Sequence, residues 1–123
     1  MRGLAFLLAI ASTGGALAAE PIDLTGPHGD KYGSINRNGQ EVAADAMLLL
    51  TEEALVTAAS ACEITGRDAR PDGSLDLTTQ CQMEGEPEPS TVVFTVKRDP
   101  AGADALQVVD DTGYVMGSVK PCG

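Results

Sequence analysis

The chain has 123 residues, with 18 acidic against 8 basic side chains and a formal charge of −10 at pH 7. A surface that acidic repels nucleic acid and anionic lipid headgroups, which argues against both as partners. With no Trp, two Tyr and two Phe, the core has to be assembled from Val, Leu, Ile, Met and Ala, which bury less area apiece than aromatic rings do.

The first 18 residues, M-R-G-L-A-F-L-L-A-I-A-S-T-G-G-A-L-A, carry one basic residue, Arg2, an apolar run over 4–11, and small residues Ala16 and Ala18 around Leu17. This is the pattern of a secretory signal peptide cleaved after Ala18. The run is too short for the roughly 20 residues of helix that cross a bilayer, and no Cys follows the cleavage site to take a lipid. The expected product is a soluble periplasmic or secreted chain of about 105 residues, without stable membrane insertion and within the size of one domain. Removal of the leader takes Arg2 and no acid, so the mature chain is more acidic still. Such a charge suits solubility, and it also suits a basic protein partner or a divalent cation.

Residues 19–40 contain two prolines and the turn dipeptide Asn38-Gly39 and read as an N-terminal loop or edge segment holding one short strand. Residues 41–123 read as one disulfide-bridged β domain. Within it, 41–57 is ambiguous. Its Ala, Leu and Glu content favours a short helix around 41–54. Against that, Val56, Ala58, Ser60, Cys62 and Ile64 alternate with Thr57, Ala59, Ala61, Glu63 and Thr65 as in a half-buried strand. The reading adopted is two strands, one at 47–50 and one from Ala54 onward, broken at Thr51-Glu52-Glu53.

From residue 74 to 84, Leu75, Leu77, Thr79, Cys81 and Met83 alternate with polar neighbours, which predicts a strand with one buried face. After the acidic loop E-G-E-P-E-P-S, the β-branched run T-V-V-F-T-V-K over 91–97 predicts another strand. Two more follow, at 105–109 and from Tyr114, separated by D-P-A-G-A-D and D-D-T-G. Strands joined by turns this short pair antiparallel. The fold class expected is mainly β, a small antiparallel meander or partly open barrel.

Cys62 and Cys81 lie symmetrically about Pro71-Asp72. Paired positions in a hairpin have a constant sum, and a turn centred there gives 143, the sum of 62 and 81. R-P-D-G is a tight-turn sequence, with Pro fixing φ, Asp bonding back to the backbone and Gly accepting positive φ. The two thiols are therefore expected to form a disulfide across neighbouring strands, closing a loop of about 20 residues worth about 3 kcal/mol in the chain-entropy model. A bulge at Gly73 would slip the register and send them to opposite faces. Cys122 is left over, as a free thiol, an intermolecular bridge or a competitor for the other two.

The order C-E-I, a strand ending in Cys, E-G-E, further strands and a closing P-C resembles small exported proteins of unassigned function found in alphaproteobacteria, over roughly 45–122. In that pattern a further Cys sits early in the mature chain, and the matching place here is near Ser34. The resemblance therefore implies that Cys122 has lost its partner. A more distant likeness, in size, leader and strand content, is to periplasmic inhibitors of hydrolases built as small disulfide-bridged barrels.

For catalysis the chain offers little. His28, the only histidine, sits in G-P-H-G-D and reads as an exposed loop residue with no nucleophile beside it. Asp110-Asp111, Asp72, Asp76, Glu84, Glu86 and Glu88 read as solvated acids rather than an acid–base pair or a calcium loop. No cofactor, metal or catalytic residue is assigned. The expectation is a non-catalytic binding protein, with inhibition of a protease or lysozyme through the loop 84–90 or the turn at Asp110 as the alternative.

Overall fold

The computed structural model describes residues 20–37 and 46–123; the expected leader lies outside them. Among the described residues, eight strands and one helix occur, and the strands form a closed antiparallel barrel in which each pairs with its neighbours in sequence, β1 meeting β8. They are β1 (His28–Gly29), β2 (Leu48–Leu50), β3 (Ala54–Thr57), β4 (Ser60–Ala69), β5 (Leu75–Met83), β6 (Ser90–Arg98), β7 (Leu106–Val109) and β8 (Val115–Pro121), with one helix, α1 (Lys31–Ile35). The mainly β expectation holds, and the barrel is closed rather than partly open.

The barrel interior is filled. Alternate residues of β5 and β6, namely Leu75, Leu77, Cys81, Phe94 and Val96, face inward with Leu50, Leu55, Val108 and Val119 from the other strands. Thr79 continues the same row, fully buried, its hydroxyl donating to the Val92 carbonyl at 2.8 Å. A polar group removed from water needs such a partner. Ile22 and Leu24, from the segment before β1, also enter this core.

The strands read at 47–50 and from Ala54 are present as β2 and β3, and 46–54 hold no helix, while 41–45 lie outside the described residues. One expectation for the first half is corrected. The strand expected to run on from Ala54 is two strands, because the chain reverses at Ala58-Ala59, between Thr57 and Ser60. The inward face passes from odd to even positions through that turn, with Leu55 rather than Val56 in the core opposite Cys62, and neither Gly nor Pro marks it. What holds it is Thr57, whose hydroxyl lies 2.7 Å from that of Ser60 and accepts from the Ala59 N–H at 3.2 Å.

The helix appears where a loop was expected. Asp30 is its N-cap, accepting from the Gly33 N–H at 2.8 Å, and so satisfies a donor the short helix cannot satisfy internally. Gly33 is required for packing rather than for φ: a Cβ there would fall 1.8 Å from the Leu48 carbonyl oxygen. The helix backbone thus rests directly on β2.

Candidate functional site

The β4–β5 hairpin sets the geometry of the wall. Its turn is not the two-residue one expected. Arg70 N–H bonds to Ser74 O and Gly73 N–H to Arg70 O, both at 2.9 Å, and Gly73 has φ +90°. That makes a three-residue loop of Pro71, Asp72 and Gly73, of the kind that ends in a left-handed glycine. Next to the turn the pairs run Ala69 with Leu75, Asp68 with Asp76, Arg67 with Leu77 and Gly66 with Thr78, one step out of the register expected. A second irregularity, at Thr65, takes up the extra residue; its hydroxyl donates to the Thr78 carbonyl at 3.2 Å. Beyond it Ile64 faces Thr79 and Cys62 faces Cys81, as expected. The cysteines meet because two one-residue slips cancel.

Their sulfurs are 2.05 Å apart and both residues are fully buried. The pair is of the non-hydrogen-bonded kind, since the Ile64 N–H two residues on bonds away from β5, to Glu53 O at 2.9 Å. The β7–β8 hairpin has the same kind of three-residue loop, but its second extra residue, Met116, lies on β8, so the two slips add instead of cancelling. Asp110 N–H bonds to Tyr114 O, Gly113 stands at φ +90°, and a register shift follows between Val108 and Val109.

Cys122 is free and partly exposed. The Ser34 hydroxyl donates to its sulfur at 2.5 Å, and the Cys122 N–H bonds to Pro27 O at 3.0 Å. The position near Ser34 that the resemblance singled out thus lies against Cys122, across 88 residues of sequence. Cys122 thus ties the C-terminus to α1 through its thiol and to the residue before β1 through its N–H.

His28 is not an exposed loop residue. It is in β1, only 7% exposed, opposite fully buried Leu50. Its Nδ1 lies 3.1 Å from the Gly26 carbonyl, which fits the Nδ1–H tautomer donating to it. Burial between β2 and β8 gives it a packing role. Among the described residues no three His, Cys, Asp or Glu side chains converge as a metal site.

The acids divide into two groups. Asp72, Asp99 and Asp110 are turn residues whose carboxyls are held below the ordinary value of 3.8, chiefly by hydrogen bonds from the hydroxyls of Ser74, Ser118 and Thr112. Asp76 is lowered too, first by its hydrogen bond with Arg70, which it meets at 2.7 Å. These are structural acids. Glu84, Glu86 and Glu88 are exposed in the loop after β5, as expected.

The concave feature nearest the bridge is an open groove of about 880 Å³ on the outside of the barrel across β3, β4 and β5. Glu52, Glu53 and Glu63 line it with Gln80, Gln82 and Pro89. Sequence reasoning did not identify this groove, because Glu52 and Glu53 read only as a strand break and Glu63 only as the polar side of a strand. Closing the β2–β3 and β3–β4 turns brings the three together.

No family model matches the chain, and no curated protein or solved structure matches it.

Proposed function

We propose that the chain is an exported, non-catalytic protein-binding barrel whose recognition surface is its outer wall across β3–β5. The observation that supports this most is the filled interior: with Leu50, Leu55, Leu77, Val96, Val108 and Val119 packed in the lumen, the groove available to a partner lies outside. Glu52, Glu53 and Glu63 give that groove the sign of charge that attracts a basic surface and speeds its approach. The buried bridge is compatible with an oxidising compartment, as the leader-like N-terminus requires. The outer wall carries Glu63, Asp68, Asp76, Gln80 and Gln82, whereas a membrane barrel turns an apolar band outward. The mature chain, tagged and recovered from its native compartment under non-reducing conditions, should bring down a stoichiometric basic protein that is lost on E53K/E63K. Recovery of an unchanged partner with that variant would reject the outer groove.

Inhibition of a secreted hydrolase is a narrower form of the same reading. The exposed loop 84–90 favours it, because that loop runs beside the groove through Pro89 and turns tightly at Gly85, φ +85°, so it projects as a compact acidic finger. Slowed hydrolysis by a protease or lysozyme at equimolar protein, abolished by E84K/E86K, is the outcome expected of it.

A further inference from the structure

The barrel wall has a gap in its hydrogen bonding. β3 pairs with β4 only over Ala61, Cys62 and Glu63, and one further bond, Ile64 N–H to Glu53 O, ends the ladder. Among the described residues, β4 then continues alone on that side to Ala69. Because Arg70 and Ser74 are a bonded pair, alternation makes Asp68 and Asp76 bonded and leaves Arg67 and Ala69 unbonded to β5. Their N–H and C=O groups point away from β5, and no main-chain partner meets them among the described residues. Residues 67–69 are exposed.

We infer that this free edge of β4 receives an extended segment of a partner protein as an added antiparallel strand, and that the segment alternates basic with apolar side chains. The inference rests on the protein-binding reading above and names the chemistry of the partner. Strand addition supplies affinity through main-chain bonds and selectivity through alternate side chains. On the outer face the added strand runs beside Asp68, in line with Glu63 and Glu53 of the groove, so its outward residues are basic. On the inner face it runs beside Ala69, which lies opposite buried Leu75, so its inward residues are apolar. Arg67 does not block that end, since its guanidinium turns back to donate to the Glu52 carbonyl.

A second copy of the chain is the other strand at hand, and the register disfavours it. The two-fold pairing that uses both outward residues, Arg67 with Ala69 of the other copy, sets Asp68 against Asp68. Like charges directly opposed are unfavourable, and charged edges are a common guard against self-pairing. The charge of −10 on each copy adds to this.

The test uses the full chain, ¹⁵N-labelled, with a heptapeptide alternating Lys and Val as the probe and an alternating Glu–Val heptapeptide as the control. The Lys–Val peptide should bind and protect the Arg67 and Ala69 amides from exchange, and the control should not. Ala69→Pro removes an outward N–H without breaking a bond to β5, so the barrel persists by circular dichroism while affinity falls about tenfold. Asp68→Lys should weaken binding about fivefold. Binding that ignores Ala69→Pro and leaves those amides unprotected would be attraction to charge alone and overturns the proposal, as does no binding at low salt. Dimer formation abolished by Ala69→Pro would make the occupant a second copy and equally overturns it. If the peptide fails while a basic partner still co-purifies through the groove, the strand-addition proposal falls and the binding reading stands.

Discussion

The barrel has two unlike arcs. In β4–β6 the strands are nine or ten residues long, the inward faces of β5 and β6 alternate cleanly, and a buried disulfide links β4 to β5. In β1–β3 the strands are two to four residues long, and side chains and distant segments supply much of the support. There, Asp30 caps α1, α1 rests on the Leu48 carbonyl, and Ser34 meets Cys122. The turns differ in the same way. The β2–β3 and β3–β4 reversals are held by the hydroxyls of Thr51 and Thr57, and those from β4 onward mostly by carboxylates of Asp72, Asp99 and Asp110. Long strands thus specify their pairing from within, whereas the short ones have it imposed on them.

Breaking the long arc should have the largest effect. Replacing both Cys62 and Cys81 by Ala removes the closure of a 20-residue loop and should cost about 3 kcal/mol, read as a lowered urea midpoint. The short arc can be sharpened instead. Ser34→Cys should form a bridge to Cys122, detectable as the loss of the last free thiol, and stabilise the chain by about 2 kcal/mol, at the low end for a loop so long. Asp30→Ala removes the cap and should cost about 1 kcal/mol, with faster amide exchange in α1 and β2 but not in β5.

Acid should separate the arcs most gently. The carboxyls of Asp72, Asp76, Asp99 and Asp110 are all lowered by folding, so each contributes stability above the ordinary value of 3.8 that is lost as pH falls through its lowered folded value. Below about pH 4, amide exchange should quicken first at Ser74 and Thr112, whose N–H groups bond to these carboxylates, while the Thr51-held turn is unaffected. Equal quickening at Ala54 would remove the distinction between the arcs.

The same contrast explains what the sequence disclosed. Leu75 to Met83 declares its inward face because nine residues of alternation can be read without knowing the partner strand. His28-Gly29 is too short to show a period, and it is a strand only because β2 and β8 flank it. K-Y-G-S-I has no apolar stripe and contains Gly, so its helix follows from the Asp30 cap and the fit of Gly33 on β2. The turn at Ala58-Ala59 holds neither Gly nor Pro, and Val56 to Ile64 reads as one alternating run although the inward residue of β3 is Leu55. The acidic groove was illegible for a related reason: two of its glutamates come from the β2–β3 turn and the third from β4. The disulfide was legible by arithmetic and the slip at Gly73 from the turn sequence, but the Thr65 bulge that cancels that slip was not.

That compensation is the central claim, and deletion of Thr65 tests it most directly. With the extra residue removed, Ile64 still faces Thr79, Gly66 still faces Thr78, and Cys62 should still pair with Cys81. A non-reducing peptide map should then recover the Cys62–Cys81 peptide, with Cys122 as the free thiol. If a two-residue turn at Pro71-Asp72 set the register instead, the deletion would place Ala61 opposite Cys81 and turn Cys62 outward. A map showing Cys62 free, or joined to Cys122, would contradict the account.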